Sequence, residues 1–160
     1  MRQSAIPVDG DGRFSGYASV FNRLDDGGDI VLPGAFAKSL ATRRDRIRML
    51  FQHDPKEVVG VWEALGEDSH GLFAAGRLVP GVERSDALRR LISDGALDGL
   101  SIGFRTVKAS RQGGHRLLQE IALFEISVVT FPMLAEARIA PRFLSTGAAI
   151  AAATQTIRNT

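Results

Sequence analysis

The feature that most constrains the fold is a carboxylate inside a strongly apolar, strand-like run near the end of the chain. Glu125 stands within residues 123–129, and both faces of this period-two run are largely apolar. Such a strand is expected to be buried on both sides, and a carboxylate placed there needs a partner. That partner is either a histidine or, in a structural ion pair, one of the many arginines.

Two further polar residues stand beside apolar, strand-like runs. His53 follows residues 47–51 and precedes Asp54, and Ser101 opens the run 100–107. A base, a nucleophile and a carboxylate that meet in space would form a Ser-His-acid site, which is recognised by roles and geometry. The alternatives are a half-exposed histidine at a strand end and an ordinary turn serine. Asp54 is disfavoured as the orienting acid, because adjacent strand residues point to opposite faces.

The surroundings of Ser101 are glycine-rich. Gly99 and Gly103 flank it at a distance of two residues, and we expect them to leave room for a substrate carbonyl. A nucleophile elbow, however, places its serine on a strand-to-helix turn, whereas residue 103 falls in a predicted strand. On mechanism alone, the serine motif is a weak indication of function.

The apolar periodicity predicts an α+β fold with an antiparallel or mixed sheet or barrel. The predicted strands are residues 14–21, 30–32, 47–51, 58–65, 71–79, 100–107 and 116–130. Helices are predicted over 35–43 and 85–93, the second capped by Ser85, with a short helix over 134–138.

Composition excludes several classes of protein. The 160 residues suit one domain, which we place at 1–141 with a loosely ordered tail at 142–160. The chain has no cysteine and only three scattered histidines, so we expect no metal and no cofactor. A net charge of +2 does not indicate nucleic-acid binding. The absence of a signal-like or membrane-spanning apolar segment predicts a cytoplasmic protein without membrane contact.

A series of short stretches forms one pattern along the chain. In order, they are residues 16–22, 29–31, 33–36, 50–55, 99–104 and 123–133, followed by Ala135 and Ala137. Together they resemble one family, the prohead (capsid-maturation) serine proteases of tailed phages, which are distantly similar to the herpesvirus assembly proteases. Each stretch alone is a weak match, but their order and spacing along most of the chain are specific.

The resemblance implies a herpesvirus-protease-like fold with a mainly antiparallel β-barrel core and a few surrounding helices. It implies His53 as base, Ser101 as nucleophile, and Glu125 where the herpesvirus enzymes use a second histidine. The expected substrate is the scaffold segment of the major capsid protein. The resemblance also implies that the chain forms a homodimer and cleaves itself. The arginine-rich loop that the herpesvirus enzymes use for the oxyanion has no clear match after Glu125. The oxyanion donors are therefore left open, with backbone N–H groups of the turn 131–134 as one candidate.

Three readings of the biological role remain open at this point. A serine endopeptidase would act inside an assembling prohead of a phage or of a domesticated phage-like particle such as a gene transfer agent. A non-catalytic capsid-assembly module would keep the fold and bind scaffold. A stand-alone hydrolase of small esters would need a defined apolar pocket.

Overall fold

A computed structural model describes residues 6–141. Within this range, seven strands and two α-helices follow one another, with a single 3₁₀ turn at Arg44–Arg46. The strands are β1 (Arg13–Val20), β2 (Asp29–Val31), β3 (Arg48–Phe51), β4 (Asp54–Glu67), β5 (Gly71–Leu78), β6 (Gly99–Gln112) and β7 (His115–Val129). The helices are α1 (Ala37–Arg43) and α2 (Glu83–Ser93).

All seven strands belong to one mixed sheet. Its order is β1-β5-β4-β3-β7-β2, and β6 pairs with β7 on the opposite side from β2 and β3. Hairpins explain the antiparallel pairs β3–β4, β4–β5 and β6–β7, whereas β2 and β3 run parallel to β7. The long strand β7 therefore contacts three others, and it carries the buried carboxylate predicted from the sequence.

The segment expected to form a helix over 134–138 makes a single turn instead, in which the N–H of Ala137 donates to the carbonyl of Leu134 at 3.0 Å. It is then extended at Arg138 and Ile139, which form bridges with Gly99 in β6 and with Gly16 in β1. A Cβ at position 16 would lie 2.2 Å from the carbonyl oxygen of Arg138, so only glycine permits this approach. The extended segment thus connects the two ends of the curled sheet.

One local prediction is also wrong. Ser85 does not cap α2, which begins at Glu83; its buried hydroxyl donates to the carbonyl of Val59 at 2.6 Å and so ties the helix to β4. The strand predicted at 47–51 ends at Phe51 as β3, and the chain reverses at residues 52 and 53 before β4 begins at Asp54.

A single large apolar cluster fills the inside of the sheet. It includes Phe14, Phe36, Met49 and Leu88, which are fully buried. Burial on both faces, as predicted for the strand of Glu125, holds only for residues 125–129; Phe124 is 40% exposed. The mainly antiparallel β-core with a few helices is confirmed.

Other expectations concern parts of the chain or properties that the fold does not test. The loosely ordered tail at 142–160 lies outside the described residues, and the single domain at 1–141 stays a prediction. Among residues 6–141, no helix has both the length and the apolar character needed to cross a membrane.

Candidate active site

A two-residue hairpin turn between β3 and β4 presents His53. Gln52 and His53 both have positive φ, 54° and 58°, as in a type I′ turn that usually takes Asn and Gly. Non-glycine residues in this region cost about 1–3 kcal/mol each unless their surroundings hold them. The Gln52 N–H donates to the carbonyl of Val128 at 3.0 Å, and the Gln52 amide exchanges two hydrogen bonds with Thr130. The end of β7 therefore holds the turn.

Glu125 reaches His53 from β7. Its Oε1 is hydrogen-bonded to Nδ1 of the imidazole, and its side chain is 12% exposed against 43% for His53. The register between β6 and β7 shifts beside it, because Gly103 faces Glu125 while Phe104 faces Leu123. Phe124 is the extra residue of this bulge, and bulges redirect neighbouring side chains. The alternative of an arginine partner for Glu125 is therefore not what the structure shows.

Ser101 lies on β6 directly opposite Ser127 of β7, and is 7% exposed. Ser101 and His53 line the same cavity of about 180 Å³. The hydrogen bonds among the described residues include none between these two side chains. The structure thus joins His53 to Glu125 and places Ser101 in the same cavity as His53.

The cavity wall is mainly apolar, with contributions from Val20, Val31, Leu100, Phe104 and Leu134. One edge is charged, and there Asp29 forms a bidentate pair with Arg116 at 2.7 Å for each bond. Within residues 6–141, no three His, Asp or Glu side chains come together as a possible metal site.

The carboxylate determines how His53 is protonated. Because Oε1 accepts from Nδ1, a neutral imidazole carries its proton on Nδ1 and keeps the Nε2 lone pair free. The hydrogen bond to Glu125, aided by its charge, raises the pKa of His53 above its usual value, although burial opposes this. The free Nε2 can accept a proton from a hydroxyl that enters the cavity.

The comparison with protein families decides what kind of chain this is. Residues 3–150 match the family of caudovirus prohead serine proteases. The chain belongs to that family. The resemblance inferred from the sequence stretches is thereby confirmed.

One curated relative of this prohead protease family member is the prohead protease of Enterobacteria phage HK97. The two are 41% identical over 145 residues, which cover 86% of this chain. The match spans 64% of the HK97 protein, so the chain corresponds to a little under two thirds of that relative's length.

Solved structures resemble the fold of this family member at low sequence identity. The capsid assembly protease of bacteriophage T4 aligns with a TM-score of 0.62 at 13% identity, covering 79% of this chain and 88% of that one. The protease of Kaposi's sarcoma herpesvirus (KSHV), in complex with a hexapeptide phosphonate inhibitor, aligns with a TM-score of 0.61 at 16% identity, covering 92% and 76%. The herpesvirus-protease-like fold is confirmed.

The glycines that flank Ser101 lie close to other groups of the protein. A Cβ at position 103 would lie 2.1 Å from Oε1 of Glu125, and one at position 99 would lie 2.5 Å from the carbonyl of Val129. Gly103 therefore makes room for the carboxyl group of Glu125; room for a substrate carbonyl stays a prediction.

Sequence reasoning missed Ser127 and the pair formed by Gln52 and Thr130. Ser127 is fully buried, and its Oγ contacts both the backbone of His53 and the carboxylate of Glu125. One feature of the sequence could have indicated Ser127. It is a second polar residue on the same face of the apolar strand as Glu125, where a polar side chain needs a partner. Nothing in the sequence indicates that residues 52 and 53 adopt positive φ.

The titration of His53 is expected to depend on Glu125. With its pKa raised in the folded state, protonated His53 stabilises the fold at pH below about 6.5, and this contribution disappears as pH rises through the folded-state pKa. We expect Glu125→Gln to lower the pKa of His53, as measured by NMR titration of the imidazole. Glu120→Gln on the same strand is the control, and equal curves for both variants would contradict the assignment.

Proposed function

We propose that the chain is a serine endopeptidase that cleaves the scaffold segment of the major capsid protein during head maturation. In this proposal Ser101 is the nucleophile, His53 the general base and Glu125 the acid that orients the base. The observation that carries it is the placement of His53, whose Nδ1 is bonded to Glu125 while the ring borders the cavity that Ser101 lines.

The reaction follows from these positions. As a peptide carbonyl enters the cavity, Nε2 of His53 takes the proton of Ser101 while Oγ attacks the carbonyl carbon. His53 then gives that proton to the leaving amine, and an acyl-enzyme remains on Ser101. His53 then takes a proton from water as the water attacks the ester; the bond to Oγ breaks, the new carboxyl terminus leaves, and His53 returns the proton to Oγ of Ser101. Glu125 stabilises the imidazolium that forms in each half of the reaction.

An extended peptide fits this site better than a small ester. Within residues 6–141, β6 is paired with β7 on one side, and on the other side only its first residues pair, where the N–H of Leu100 donates to Ala137. The carbonyl of Leu100 and the N–H of Ile102 point to that same outer side, because strand residues alternate. Extended peptides add to such free edges, here immediately beside Ser101.

The relatives support a peptide substrate from a capsid. The T4 neighbour is named a capsid assembly protease, and the KSHV neighbour holds a hexapeptide phosphonate. By analogy, we extend capsid-protein cleavage inside the assembling prohead to this chain. Dimerisation, self-cleavage and residence in a gene transfer agent particle stay predictions of the family resemblance.

A phosphonate probe tests the nucleophile and the substrate together. Incubation of the purified chain with a fluorophosphonate is expected to add one adduct, located by tandem mass spectrometry on Ser101 in the tryptic peptide 91–105, which also contains Ser93. Untreated protein is expected to shorten assembled major capsid protein at one site, read by intact mass, and labelled protein is expected to leave it whole.

The outcomes separate the three readings. Labelling of Ser101 with cleavage of a small ester but not of capsid protein would favour the ester hydrolase. No labelling and no cleavage, combined with binding to the scaffold segment, would favour the non-catalytic assembly module.

A further inference from the structure

A fully buried hydroxyl lies beneath the His53–Glu125 pair. The Oγ of Ser127 accepts a hydrogen bond from the backbone N–H of His53 at 3.0 Å and donates one to Oε2 of Glu125 at 2.7 Å. Ser127 is 0% exposed and does not line the cavity beside Ser101. It contacts two of the three residues of the proposed site, and a substrate in the cavity would not touch it.

The hydroxyl has a single proton, and its two contacts determine where that proton goes. Since the His53 N–H donates to Oγ, the Ser127 proton is free for Glu125, and Oε2 must be the acceptor. With Oε2 held by Ser127, the other oxygen, Oε1, faces Nδ1 of His53. Ser127 therefore fixes the rotation of the carboxyl group.

The same atom also holds the backbone of the base. His53 has φ of 58° in the strained hairpin turn, and its N–H has Oγ of Ser127 as its partner. Because Ser127 faces Ser101 across β6 and β7, a rigid sheet connects the nucleophile to this support. One buried atom thus positions the acid and the base relative to the strand of the nucleophile.

We propose that Ser127 is a positioning residue for the reaction of Ser101, His53 and Glu125, acting through the carboxyl rotation of Glu125 and the backbone of His53. This inference rests on the proposed function for its kinetic consequence, but the positioning itself is measurable without activity.

Other charged groups near the pair do not replace this contact. These groups lie across the cavity, in the neighbouring strand and just after the hairpin turn: Arg23, Asp25, Asp29, Arg48, Asp54 and Lys56. Among the described residues, none of their side chains is hydrogen-bonded to His53 or Glu125.

The test compares Ser127→Ala with Ser15→Ala. Ser15 is also fully buried, and its hydroxyl has no partner among residues 6–141, so it controls for loss of a buried hydroxyl. Ser127→Ala is expected to lower kcat/KM for a capsid-derived peptide about 10- to 100-fold, as loss of a hydrogen bond to a charged group does. Because a freely rotating carboxyl holds His53 less well, the acid limb of the pH profile is expected to move to lower pH.

An NMR titration of His53 gives a readout independent of activity. We expect the pKa of His53 in Ser127→Ala to fall part of the way towards its value in Glu125→Gln. Ser127→Thr keeps the hydroxyl and is expected to restore the wild-type curve. A wild-type His53 titration in Ser127→Ala, or a rate loss with an unmoved acid limb, would overturn the proposal. An inactive wild type with the expected titration shift would refute the proposed function and leave the positioning intact.

Discussion

Replacement of Ser101 by alanine is expected to abolish proteolysis while leaving the fold intact. In serine proteases, loss of the nucleophile lowers the rate by about 10³- to 10⁶-fold, and the remainder comes from binding and the oxyanion site. The fold should tolerate the change, because the Ser101 hydroxyl has no hydrogen-bond partner among the described residues and only one oxygen is removed. The measurement is kcat/KM for a capsid-derived peptide, with thermal unfolding of both proteins.

Two serines make this result specific. Ser110 lies on the exposed part of the same strand, and the variant Ser110→Ala is expected to keep full activity. Ser19 lines the same cavity and is the competing nucleophile, so Ser19→Ala tests it directly. If Ser101→Ala is active and Ser19→Ala is inactive, the nucleophile is Ser19 on β1, and the assignment of Ser101 is refuted.

The roles of Ser101 and His53 are also expected to be non-additive. Once the nucleophile is absent, a base has no hydroxyl to activate, so Ser101→Ala with His53→Ala should be no slower than Ser101→Ala alone. If the loss of rate in the double variant equals the product of the losses in the two single variants, the residues act in separate steps.

The sequence was informative where burial and periodicity agree. Glu125 was identified because a carboxylate in an apolar strand needs a partner, and the structure gives it His53. The strands predicted at 100–107 and 116–130 correspond to β6 and β7, because their apolar runs are long enough to be recognised. These are local properties of composition and spacing.

What the sequence could not predict depends on contacts between distant segments. The helix predicted over 134–138 does not continue, because Arg138 and Ile139 form bridges with Gly99 and Gly16 that override a weak helix preference. Ser85 satisfies its hydroxyl on another strand, and the turn at His53 is held by residues at the end of β7. Secondary-structure propensity contains no information about such partners. The contacts that position the site, such as that of Ser127 with His53, also join segments distant in sequence and were therefore not predictable.

Gly103 offers the second large effect, a loss of activity by steric displacement alone. A Cβ at this position would lie 2.1 Å from Oε1 and 2.8 Å from Cγ of Glu125, well inside contact distance. Because the obstructed atoms end a flexible side chain, Gly103→Ala should turn the carboxyl away and leave the backbone in place. We expect kcat/KM to fall about 10²- to 10⁴-fold, as when the acid of a triad is lost. The unfolding temperature is expected to fall as well, because the displaced carboxylate loses its hydrogen bonds to His53 and Ser127.

The control and the coupling decide whether Gly103 acts through Glu125. Gly10→Ala adds the same methyl where no atom lies within 4 Å, so it should leave activity unchanged. In Gly103→Ala the pKa of His53 should fall as it does in Glu125→Gln, since both changes remove the carboxylate of Glu125 from beside the imidazole. Adding Gly103→Ala to Glu125→Gln should then cost little more, because residues that act through one contact are not additive. A fully active Gly103→Ala with an unshifted His53 would mean that the carboxylate finds another route to the imidazole, and that space at position 103 is not what keeps the acid and the base together.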